Sequence, residues 1–83
     1  MSRRFWFTFT KPARPTILSM GCGVTAYDLA DARKLLQEQV FSNYGAELID
    51  EVIEDIDIST LDDKHVRPNM GNPVVRGVWF PHV

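Results

Sequence analysis

The sequence predicts an α+β domain in which one helix packs on a mostly antiparallel sheet of about four strands, in the order β-β-α-β-β. Three observations carry that expectation. The N-terminal run "RRFWFTFT" alternates with the period of a strand. A capped apolar stripe of helical spacing begins at Asp28. The C-terminal run "VVRGVWF" is dense in strand formers and closed by Pro81. At 83 residues the chain is a single globular domain, 1–83.

In "RRFWFTFT", Phe5, Phe7 and Phe9 share one face and Trp6, Thr8 and Thr10 the other, the pattern of a half-buried strand. "KPARPT" ends it, because Pro12 and Pro15 have no amide hydrogen to give to a ladder. "ILSMGCGVTAY" is a second extended segment, with Gly21 and Gly23 marking a bulge or kink. In "YDLADARKLLQEQVF", Asp28 is the expected N-cap. Asp31, three residues on, completes an acidic variant of the capping box and places negative charge on the positive end of the helix dipole. "TAYD" also spells a capping pattern, so a start at Thr25 is the competing boundary. Leu29, Ala32, Leu35, Leu36 and Val40 form the apolar stripe, and Gly45 in "SNYG" ends the helix.

The next stretch supports two patterns. Leu48, Ile49, Val52, Ile53 and Ile56 fall at helical spacing, whereas "VIEDIDI" alternates as a strand. In the strand, Val52, Ile56 and Ile58 share a face with Glu54, and Ile53 shares the other with Asp55 and Asp57. The density of β-branched residues favours a strand over 52–58, while 46–53 stays open between helix and strand. Ser59 followed by Asp62 is a second capping pair, which predicts a short helical turn in "TLDDKH". "RPNMGNP" is a loop, and "VVRGVWF" is the last strand.

A hydrophobic fraction of 45% with 11% aromatic residues excludes a disordered chain. No apolar run approaches the roughly 18 residues needed to span a bilayer, so no membrane association is expected. The N-terminus lacks the apolar core of a signal peptide. The single cysteine, Cys22, excludes an internal disulfide and fits a reducing compartment. A cytoplasmic location follows as the expectation.

The net charge of −2 conceals three blocks: +4 over residues 1–15, −9 over 28–63 and +3 over 64–83. Within 47–63, "ELIDEVIEDIDISTLDD", eight of 17 residues are Asp or Glu and none is Lys or Arg. Like charges at this density repel one another, and a face that merely keeps a protein soluble does not need so many.

Asp55, Asp57 and Ser59 match the first, third and fifth positions of a calcium-binding EF-hand loop, but Thr60 stands where its glycine belongs and Val66 where its bidentate glutamate belongs. Cys22 between two glycines has no base at a suggestive spacing, and a small buried residue is its simpler role. "GCG" is too short for a phosphate cradle. His65 and His82 have no companion ligands at metal spacing. No catalytic residue, metal or cofactor is expected, and no enzyme. Arginines interleaved with aromatics in the terminal strands suggest a nucleic-acid-binding or regulatory domain as the alternative, although the acidic block repels phosphates.

"VTAYDLADARKLL" and "VIEDIDISTLDDKHVRPNMGNPVVRGVWFP" resemble the small, largely uncharacterised bacterial proteins among which immunity proteins of toxin systems are found. That resemblance covers most of the chain and brings no functional motif with it. It implies a module that neutralises a basic toxin, such as a nuclease, by covering its cleft. The acidic block supplies a surface of that kind. Its candidate contact residues are Asp50, Glu51, Glu54, Asp55, Asp57, Asp62 and Asp63. Asp55 and Asp57 point outward in both the helical and the extended arrangement, which ranks them first.

Overall fold

A computed structural model describes residues 2–10, 20–45, 48–61, 63–64 and 66–81. The α+β expectation holds: strands β1 (Arg3–Phe9), β2 (Cys22–Ala26), β3 (Ile49–Glu54) and β4 (Gly77–Phe80) form one antiparallel sheet in the order β3-β1-β2-β4, with helix α1 (Leu29–Leu35) between β2 and β3.

The topology follows from the pairings. β2 and β3 both lie antiparallel to β1, one on each side of it. They therefore run in the same direction, and joining them takes a crossover, which the helix supplies. Asp28 caps that helix: its side chain accepts the backbone N–H of Asp31 at 2.8 Å. The start at Leu29 settles the choice between Asp28 and Thr25. Helix α1 continues into a π-helical segment, Leu36–Phe41, and a last turn, α2 (Ser42–Tyr44). The wider turn brings Leu36, Val40 and Phe41 to the sheet side together. Ser42 Oγ and Asn43 Nδ2 donate back to the carbonyls of Glu38 and Gln39, one turn earlier.

The sheet is covered on both faces. On the helix side, Phe5, Phe7, Cys22, Val24 and Ala26 meet Ala32, Leu35, Leu36 and Val40. The strand is not half-buried as expected: on its other side Trp6 is buried too and joins Ile56, Val66, Trp79 and Phe80 in a second core. Connectivity explains this second layer. β3 and β4 are opposite edges of the sheet, so the chain between them must cross it, and it crosses the face that the helix leaves open. A shift of register between Gly23 and Val24 leaves one extra residue in β4, so neighbours Trp79 and Phe80 both pack into this core. Gly23 is their floor: a Cβ there would lie 2.4 Å from the Trp79 ring, so no larger residue fits beneath the indole.

Three boundaries differ from the sequence expectation. The third strand is Ile49–Glu54 rather than 52–58, because Asp55 takes a left-handed φ of 56° and ends the ladder. Val52 then packs on the helix side while Ile56 and Ile58 pack on the other, so the three do not share a face. The short helical turn is Ile58–Thr60, capped by Asp57 and not by Ser59. The last strand begins at Gly77, not Val74. Thr25 Oγ1 holds the Pro73 carbonyl and Asn72 Oδ1 accepts the Val74 amide, which bends the chain into a turn and leaves Val74 and Val75 73% and 61% exposed.

Candidate functional site: the acidic outer strand

Among the described residues β3 is an outer strand of the sheet, paired only with β1. Its register runs from Phe5 opposite Glu54 to Phe9 opposite Ile49, with an irregularity between Thr8 and Phe9. That irregularity leaves Asp50 as the extra residue. Val52 and Glu54 lie on the helix side, while Glu51 and Ile53 lie on the side of Thr8 and Trp6. The strand exposes Asp50, Glu51, Ile53 and Glu54.

The acids that follow β3 have work inside the fold. Arg3 reaches Asp55 with both arms of its guanidinium, Nε to Oδ1 at 3.0 Å and a terminal nitrogen to Oδ2 at 2.7 Å. Its remaining nitrogen lies 3.3 Å from Glu54. The Arg3 hydrogen bonds hold the Asp55 carboxyl below the usual carboxylate range. Arg3 also lies over the Phe5 ring, 5.7 Å from its centre. Asp57 accepts the Ser59 hydroxyl at 2.7 Å and the Ser59 amide at 3.0 Å, and these bonds lower its pKa as well. The two acids ranked first by exposure are thus exposed and also engaged.

The side chains of Asp50, Glu51 and Asp63 carry no ion pair or hydrogen bond among the described residues. They are the unspent charge of the block. Asp62 lies outside the described residues, as do His65 and His82. Sequence reasoning missed the Arg3 pairing. Its signal was present in the positive first block and the negative central one, but only the β1–β3 register brings Arg3 beside Asp55.

The competing sites look different in three dimensions. Cys22 is fully buried, and burial pushes its thiol up to about 12, far from the thiolate a nucleophile needs. No three or more His, Cys, Asp or Glu side chains among the described residues gather as metal ligands would. Phe5, Phe7, Trp6, Trp79 and Phe80 are interior, so these rings offer no stacking platform for bases. Arg76 is tied to Asp31. Among the described residues no helix is long and apolar enough to cross a membrane.

No family model matches the chain, and no curated protein or solved structure matches it either.

Proposed function

We propose that this chain is a small protein-binding module of the immunity-protein kind, which neutralises a basic toxin by laying its acidic outer strand across the toxin's cleft. One observation carries the reading: Asp50 and Glu51 stand exposed on an outer strand with no cation to balance them among the described residues. Arg3 lies within the same fold and pairs with Asp55 and Glu54 instead. Unbalanced carboxylates raise the fold's own repulsion, and a basic partner relieves it. A nuclease cleft, built to hold phosphates, is a surface of the matching sign. Charge of this kind speeds association and makes it fall with salt. The nucleic-acid alternative receives less support, since its aromatics are interior and Arg3 and Arg76 are paired.

The test uses the chain as bait in an extract of its source cell, beside the double reversal Asp50→Lys, Glu51→Lys. Wild type should retain a basic protein at low salt and lose it at high salt, and purified chain should inhibit that protein's activity. The reversed bait should not retain it. Equal retention by both baits would sink the assignment of this surface.

A further inference from the structure

We propose that the side of β3 turned away from β1, unpaired among the described residues, is a strand-addition site: an extended, lysine- or arginine-rich segment of the partner pairs with β3 and becomes the fifth strand of the sheet. This rests on the acidic surface being the partner-binding one, and it specifies how that surface binds.

The main chain carries the argument. An outer strand satisfies only the N–H and C=O groups that face its neighbour, and alternate groups point away. β3 ends the sheet at a full six residues, long enough for several main-chain hydrogen bonds. Outer strands are commonly protected by lysine, proline or a covering loop. "IDEVIE" contains neither lysine nor proline. β4, the other outer strand, is shorter at four residues, and its neighbour in sequence, Pro81, cannot donate to a ladder.

The side chains then select the occupant. Glu54 lies on one face of the strand and Glu51 on the other, with Asp50 at the irregularity. A second copy of this chain would set these acids against their own kind, which disfavours self-pairing. A basic strand meets unbalanced charge at Glu51 on one face, while Glu54 on the other already has Arg3 beside it. Ile53 adds an apolar contact. It is 41% exposed although its partner across β1, Trp6, is only 6% exposed, so an added strand would cover it. Main-chain bonds supply affinity and alternate side chains supply choice, the division of labour found wherever peptides add to sheets.

The probe is a short, end-blocked peptide alternating lysine and valine, beside a counterpart methylated at every amide nitrogen. Both carry the same charge, but only the first can donate main-chain hydrogen bonds. The first should bind and slow hydrogen exchange at β3 amides. The second should bind at least about tenfold more weakly, since each lost bond is worth roughly fivefold. Equal binding of the two would show that charge alone acts and overturn strand addition. So would failure of both to bind. A concentration-dependent dimer of the chain that excludes the peptide would make a second copy the occupant, and would overturn it too. None of these outcomes decides the proposed function, which the bait comparison tests separately.

Discussion

Arg76 and Asp31 form a two-pronged ion pair that fastens the start of β4 to the first turn of the helix. Nε lies 2.9 Å from Oδ2 and a terminal nitrogen 2.5 Å from Oδ1. The partners are 45 residues apart in sequence. The same carboxylate accepts the Tyr27 amide at 3.1 Å, and the guanidinium lies over the Tyr27 ring. One acid therefore joins a cap, an ion pair and an aromatic contact.

This pair sets a pH dependence. The Arg76 hydrogen bonds, with that of Tyr27, lower the Asp31 carboxyl to about 2. A carboxyl lowered in the folded state stabilises the fold above its unfolded pKa of about 4 and loses that contribution as pH falls toward the folded value. Asp31→Asn should therefore be less stable than wild type at neutral pH, with the gap closing between about pH 4 and pH 2. Denaturant melts across that range check it; a gap independent of pH would refute the role of charge.

Gly23 and Trp79 should behave as a coupled pair. Gly23→Ala places a methyl against the indole and should cost about 1–3 kcal/mol, the usual penalty for overpacking. In a Trp79→Leu background the same change should cost much less. A double-mutant cycle by chemical denaturation measures the coupling, and additive effects would mean that the ring does not occupy the space above Gly23.

Cys22 should be inert until the protein unfolds. Its buried thiol should resist alkylating reagents under native conditions and react fully in denaturant. Cys22→Ser places a hydroxyl in the helix-side core and should cost about 1–3 kcal/mol, with binding of the basic peptide unchanged. Loss of binding in folded Cys22→Ser would contradict a purely structural thiol.

The acids should divide into two groups. Asp50→Lys with Glu51→Lys should shift stability by no more than about 0.5 kcal/mol per site, and it should weaken binding to any basic partner. Asp55→Lys should lower the melting temperature, since it removes the Arg3 partner and puts a long side chain at a left-handed φ. Asp55→Asn, which tolerates that backbone, should lose less. Thermal melts of the three variants separate acids held by the fold from acids available for contact. Equal shifts would erase the distinction.

Local signals were legible in the sequence and crossings of the chain were not. Alternation in "RRFWFTFT" placed the three phenylalanines on one face, and Asp28 named the start of the helix, because both depend on neighbours a few residues away. Val74 and Val75 looked like strand because β-branched residues favour one, yet Thr25 and Asn72 hold that segment in a turn. Alternation past Glu54 failed for a similar reason: one left-handed residue, Asp55, reversed which side the next apolar residue meets. Exposure of the acids could be read from pattern. Which of them the fold would occupy could not, since that depends on β1 lying beside β3.

Both tryptophans of the chain sit in one core, their ring centres 5.8 Å apart, while the helix packs on the opposite face of the sheet. Nature has thus placed two separate reporters on the two sides of one sheet. Indole fluorescence follows the crossing segment between β3 and β4, and the far-ultraviolet helical signal follows the other layer. If the two traces melt together, the sheet transmits order from face to face and the protein unfolds as one unit. If fluorescence changes first, the crossing segment opens while the helix stays in place, and that layer is a separately cooperative part of the molecule.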